Sequence, residues 1–221
     1  MNRVNLPLTL RGFNSNDKAA IGIGTLIIFI AMIMVAGIAA SVIIQTMNSL
    51  EEQALSTGRE TMREVSSGVR VDQVTGYYNG SKISQIAIFL RTVAGSEDVD
   101  LTYAFVKLSD TSKQVMLNYT TAGFSTTISN GLFGTLNSSL LSSTTYGVMK
   151  VRDIDNSCTS TNPTINSDDL IVLIVNTSKC FSGIDTRTDI VGEIVPEYGM
   201  SGVINCRTPS AFIDTIVELQ K

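Results

Sequence analysis

The sequence predicts an α+β protein: one long N-terminal helix, then an all-β domain. Three observations carry this. No charged residue occurs between Lys18 and Glu51. The apolar run then passes without a turn signal into a stretch with helical spacing. After Gly68 the pattern changes to short runs rich in Val, Ile, Thr, Tyr and Phe, separated by Gly, Asn, Asp and Ser. These divide the 221 residues into a leader (1–19), a helix (20–68) and a β-rich domain (69–221).

The leader carries Arg3, Arg11 and Lys18 against Asp17, and Pro7 and Gly12 argue against a continuous helix there. The apolar segment is long enough to cross a bilayer as a helix. A secretory signal places its small-residue cleavage site after the apolar region, whereas here Ala19 and Ala20 precede it, so cleavage between them keeps the greasy segment. From Ile21 to Ile44 there are 15 large apolar side chains. Burying each is worth about 1.5–3 kcal/mol, which excludes a free soluble monomer with this helix in water. The segment is apolar on all sides and fits either lipid or other copies of itself. Small residues (Gly22, Gly24, Ala31, Gly37, Ala39, Ala40, Ser41) let neighbouring backbones approach. Beyond it, Met47, Leu50, Ala54, Gly58, Met62, Val65 and Val69 recur on one face, opposite a charged face. At 1.5 Å per residue a helix over 20–68 is about 70 Å long, more than a small domain can wrap.

Strands are expected at 83–93, 101–108, 114–119, 146–151, 170–175, 190–195, 202–205 and 212–219, forming a β-sandwich or small barrel of Ig-like build. Residues 120–145, dominated by Thr, Ser, Asn and Gly, read as exposed loops with at most one weak strand.

Composition narrows the chemistry. The chain has no histidine, which removes the commonest general base and metal ligand, and its net charge of -4 argues against nucleic acid as a partner. No catalytic residue, cofactor or metal is assigned. Cys158, Cys180 and Cys206 lack C-x-x-C spacing and leave one disulfide open in any of three pairings. The acidic clusters (Glu97, Asp98 and Asp100; Asp153 and Asp155; Asp168 and Asp169) read as solvated loop charges. Asp153-x-Asp155-x-Ser157 is followed by Cys158 where an EF-hand loop needs Gly. Sequons lie at Asn79, Asn118, Asn137 and Asn176, while Pro163 disqualifies Asn162.

The run Ala20-Ile21-Gly22-Ile23-Gly24-Thr25-Leu26-Ile27-Ile28-Phe29-Ile30-Ala31-Met32 resembles the start of mature archaeal flagellins, the archaellins. So do Ser56-Thr57-Gly58-Arg59-Glu60-Thr61 and Glu64-Val65-Ser66-Ser67-Gly68-Val69. The resemblance covers residues 18–70. Bacterial type IV pilins typically carry Glu at the fifth mature position, where this chain has Gly24; Ala19 stands where archaellins commonly have Gly.

The resemblance implies a precursor held in the cell membrane, cut between Ala19 and Ala20 by a prepilin-type leader peptidase. It implies a homo-oligomeric helical filament, the archaellum, used for swimming and placed outside the cell. The polymerisation core would comprise Ile21, Ile23, Leu26, Ile27, Phe29, Ile30, Met32, Ile33, Met34, Val35, Ile38, Val42 and Ile43. N-glycosylation, common in the family, is expected on at least one sequon. Torque would come from a separate motor and assembly ATPase complex, since the chain contains no P-loop. The rivals are an adhesive type IV pilus-like subunit that binds surfaces, and a membrane-anchored enzyme or receptor.

Overall fold

The computed structural model describes residues 15–136 and 138–220. The chain divides into two compact units, Met1–Thr57 and Gly58–Lys221. Helix α1 (Ser15–Ser66) begins five residues before Ala20. Residues 15–18 contain neither Gly nor Pro, so nothing in them stops the helix. It ends two residues before Gly68, and Val69, expected on its stripe, is instead buried in the first strand.

The second unit holds one nine-stranded sheet built from β1 (Val69–Tyr78), β2 (Ile83–Thr92), β4 (Phe105–Ser109), β5 (Gln114–Ser125), β6 (Thr145–Arg152), β8 (Leu170–Val175), β9 (Asp189–Val195), β10 (Gly202–Arg207) and β11 (Ile216–Gln220). Their order is β10-β9-β4-β5-β6-β8-β2-β1-β11, and every neighbouring pair is antiparallel except β5–β6. β3 (Val99–Asp100) and β7 (Thr164–Ile165) form a separate short ribbon.

Of the sandwich or barrel expected, the sheet is the barrel form, nearly closed. Its two edge strands meet through a side chain: Asn205 N–H donates to Gln220 Oε1 (3.0 Å) and Gln220 Nε2 donates to the Val203 carbonyl (3.4 Å). An amide side chain thereby satisfies edge groups that would otherwise be open to another strand.

The barrel interior is filled by Ile86, Ile88, Leu90, Val106, Leu108, Leu117, Val148, Leu173 and Ile204, among others. Tyr146 is buried with them, its hydroxyl 3.0 Å from the carbonyls of both Leu101 and Ala104. That pins residues 101–104 as a turn, and β4 starts at Phe105 rather than Leu101.

β8 is apolar on both faces, as its uninterrupted Leu-Ile-Val-Leu-Ile-Val implies. Its outward residues Val172 and Ile174, with Ala87 and Met149, are covered by Phe133, Leu136 and Leu141. Residues 120–145 are therefore not simply exposed loops. β5 runs on to Ser125, and a short helix α2 (Gly131–Gly134) and a 3-10 turn (Ser138–Leu140) carry part of this second core. A further short helix, α3 (Thr177–Phe181), follows β8.

All three cysteines are free and buried. They lie on separate parts of the fold, after β6 (Cys158), in α3 (Cys180) and in β10 (Cys206), each serving as core. Burial pushes the thiols up, to about 12 for Cys158 and about 11 for Cys180 and Cys206, which keeps them protonated and unreactive near neutral pH.

Candidate functional site

Every residue expected in the polymerisation core lies on α1 and is open. Exposure runs from 50% at Ile30 to 67% at Met32, and none of the other described residues covers Ile21, Ile23, Leu26, Ile27, Phe29, Ile33, Met34, Val35, Ile38, Val42 or Ile43. By length and composition this helix can cross a membrane. Two of its hydroxyls are turned inward: Thr25 Oγ1 donates to the Gly22 carbonyl (2.9 Å) and Thr46 Oγ1 to that of Ile43 (2.8 Å). Such back-bonding lets a hydroxyl sit in apolar surroundings without an outside partner. Ala19 and Ala20 are exposed on the same helix.

Within the second unit, the last turn of α1 is fastened to the barrel mainly by backbone. Met200 N–H donates to the Ser67 carbonyl and Val69 N–H to that of Met200, each at 2.9 Å. Val93 N–H donates to the Gly68 carbonyl (3.0 Å), and Gly68 N–H to Ser96 Oγ (3.2 Å). A Cβ on Gly199 would lie 2.0 Å from the Ser67 carbonyl oxygen, so only glycine allows this approach. Arg63 adds an ion pair to Glu97 (3.3 Å) and stacks over Tyr198, 4.3 Å from the ring centre. Sequence gave no sign of this junction, because its parts are far apart in the chain.

Asp153, Asp155 and Asp169 converge, with one carboxylate oxygen from each within 4.8 Å of the others. Asp155 is exposed, as expected of a loop charge, but Asp153 and Asp169 are not the solvated charges expected. β6 and β8 pair antiparallel with Arg152 opposite Leu170, which brings the flanking residues 153 and 169 together. Asp169 is 1% exposed, and Oδ1 of both Asp153 and Asp169 is buried without a hydrogen-bond partner. Lys150 Nζ sits 2.9 Å from Asp153 Oδ2. Three carboxylates against one ammonium leave two negative charges, which suits a divalent cation with oxygen ligands such as Ca²⁺.

Burial, then the neighbouring Asp153 and Asp155, raises the Asp169 pKa. In the ion-free protein the stability held by this proton is present below the unfolded carboxylate range and is lost as pH rises through the folded value. At neutral pH a bound cation would offset that loss. Saturating Ca²⁺, at roughly 100 times its Kd, is expected to raise the Tm of purified filaments by about 5–10 °C over a chelator control in calorimetry. Asp169→Asn should remove this response; an unchanged response in that variant refutes the site.

The sequons differ in placement. Asn79 is exposed in the β1–β2 turn, its Oδ1 accepting from Ser81 and Lys82 N–H. Asn118 is exposed on β5. Asn176 is 6% exposed, and its Oδ1 accepts from Lys179 N–H as the cap of α3, so the exposed-loop premise fails there. Asn137 lies outside the described residues, as do residues 1–14 of the leader.

An open apolar helix preceding a β-barrel is the build of a pilin-like filament subunit. Residues 19–206 match the family model for archaeal-type flagellin. Flagellin B2 of Methanocaldococcus jannaschii is 36% identical over 214 residues, covering 94% of this chain and 98% of that protein. Flagellin B1 of Methanococcus voltae is 38% identical over 220 residues, covering 96% and 100%. The crystal structure of archaeal flagellin FlaB1 from Methanocaldococcus jannaschii superposes with TM-score 0.61 at 34% identity, over 70% of this chain and 97% of that one. The subunit of the archaeal flagellum of Methanospirillum hungatei strain JF1 shares the fold, with TM-score 0.63 at 16% identity over 90% and 99%. The chain belongs to the archaeal-type flagellins and is a structural subunit of the archaellum, the extracellular motility filament.

Proposed function

We propose that the subunit polymerises through Ile21–Ile44 of α1, stripped of residues 1–19 by cleavage between Ala19 and Ala20, with residues 69–221 as the filament's outer surface. The observation that carries this is an uncovered apolar helix. Its 15 large side chains are half or more exposed in the single chain, and leaving them in water costs tens of kcal/mol at about 1.5–3 kcal/mol each. Lipid shelters the precursor and neighbouring helices shelter the assembled subunit. Basic residues of the leader hold its N-terminus in the cytoplasm while the β-domain is exported. The family match starts at residue 19, next to the proposed cut, which supports a leader that ends there.

The filament does no chemistry; a separate ATPase complex assembles and turns it, after a prepilin-type peptidase has cut the leader. Glycans on Asn79 or Asn118 decorate the outer surface, while Asn176, buried as a helix cap, stays bare.

Sheared filaments supply the test. N-terminal sequencing is expected to begin at Ala20, and peptides containing Asn79 or Asn118 to carry hexose-containing mass. A chain starting at Met1, or beyond Ile44, overturns the processing. Bare peptides at Asn79, Asn118 and Asn137 overturn the glycosylation.

A further inference from the structure

A cavity of about 220 Å³ lies beside the last turn of α1, lined by Arg63, Ser67, Asp98, Asp100, Asn162 and Glu197. Its polar groups are unbalanced. Arg63 is already engaged by Glu97 and by the Tyr198 ring, leaving three carboxylates without a countercharge from within the wall. Ser67 Oγ, on a residue 3% exposed, has no hydrogen-bond partner. Carboxylates, an amide oxygen and a hydroxyl all accept hydrogen bonds, so the pocket suits a cation with several donors. A metal ion fits poorly: among the described residues only Asp153, Asp155 and Asp169 bring three carboxylates within ligating range. A guanidinium, with five donors in a planar fork, can bridge acceptors that are further apart.

We propose that this pocket receives the Arg59 guanidinium of a second copy of the chain, locking adjacent subunits of the filament. It rests on the filament role proposed above. Arg59 is exposed and has no acid partner among the described residues. It stands four residues before Arg63 on the same helix, about 6 Å along its axis. Identical subunits added in one direction pack their helices in the same sense, with each copy displaced along the filament. A displacement of about one helical turn brings a neighbour's Arg59 level with the pocket. Arg187 also lacks an acid partner among the described residues, but it precedes β9, at the opposite end of that strand from Glu197. Arg152, exposed at the end of β6, serves as the control.

The experiment converts the contact into a covalent bond. Filaments of the Arg59→Lys variant are treated with a water-soluble carbodiimide, which activates a carboxylate. The new lysine amine displaces the urea by-product and forms an amide. A covalent dimer on a denaturing gel is expected, with a peptide joining residue 59 to Asp98, Asp100 or Glu197. Arg152→Lys filaments should not yield a dimer through these acids. Filaments that give only monomer, or a bond from residue 59 to other acids, overturn the pocket while leaving the filament role intact. If Arg59→Lys does not assemble, a charge swap decides. Arg59→Glu should lose filaments, and its combination with Glu197→Arg should restore them; failure to restore overturns the proposal. Normal filaments from an Ile30→Asp strain would instead count against polymerisation through α1.

Discussion

Ile30→Asp is expected to abolish filaments while leaving the β-domain folded. Ile30 stands among Leu26, Ile27, Ile33 and Met34 within one helical turn, all apolar. The nearest charges in sequence are Lys18 and Glu51, 12 and 21 residues away, about 18 and 32 Å along the helix. The new carboxylate therefore finds no partner. It neutralises on burial, and burying the unpaired polar group still costs roughly 2–7 kcal/mol. A penalty of about 4 kcal/mol lowers the association constant about a thousandfold, and it recurs at every subunit added. The second unit begins at Gly58 and packs its own core, so its unfolding should not respond. Electron microscopy of the mutant cells, with thermal unfolding of the detergent-solubilised precursor, checks both halves. Normal filaments would show that this stretch is not the polymer core; a lowered Tm would show that the substitution acts through folding.

How far the fold was legible depended on whether one short-range pattern decided each element. β8 lies at the bounds expected because six consecutive apolar residues, closed off by Asp169 and Asn176, fit only a strand buried on both faces. β1 was not foreseen. Its alternation is broken by Asp72, Gln73 and Gly76, and the pairing with β2 slips between Val71 and Gln73, so a period of two never persists. The apolar residue Phe212 suggested that the last strand starts there. In the structure it belongs to a loop, its ring 4.9 Å from that of Tyr78, and β11 begins at Ile216.

The same distinction separates the sites. The apolar helix is a run in sequence and was plain. The Asp153, Asp155 and Asp169 cluster exists only because β6 and β8 pair in one register, and the Asp153-x-Asp155 spacing alone pointed to loop charge. The pocket beside Arg63 gathers residues from α1, the β2–β3 segment, the approach to β7 and the β9–β10 loop. No local pattern announces such a meeting, since each contributor has an ordinary place in its own segment.

Gly199→Val is the substitution expected to damage the second unit most. Gly199 has φ +85°, a region in which a β-branched residue is strained by about 1–3 kcal/mol. The Cβ would also fall 2.0 Å from the Ser67 carbonyl oxygen and 2.9 Å from Gly68 N, so the loop must withdraw from the end of α1. Withdrawal breaks the Met200 to Ser67 and Val69 to Met200 hydrogen bonds, each worth about 0.5–1.5 kcal/mol. Together these effects amount to roughly 2–6 kcal/mol, or a Tm lower by about 5–20 °C. Calorimetry of the purified variant measures this directly, and a loss below about 1 kcal/mol would show that the junction yields instead of resisting. Gly199→Ala separates the two causes. Alanine carries the same Cβ contact but less of the β-branched strain, so most of the loss should persist if the contact with Ser67 dominates and little of it if the backbone strain does.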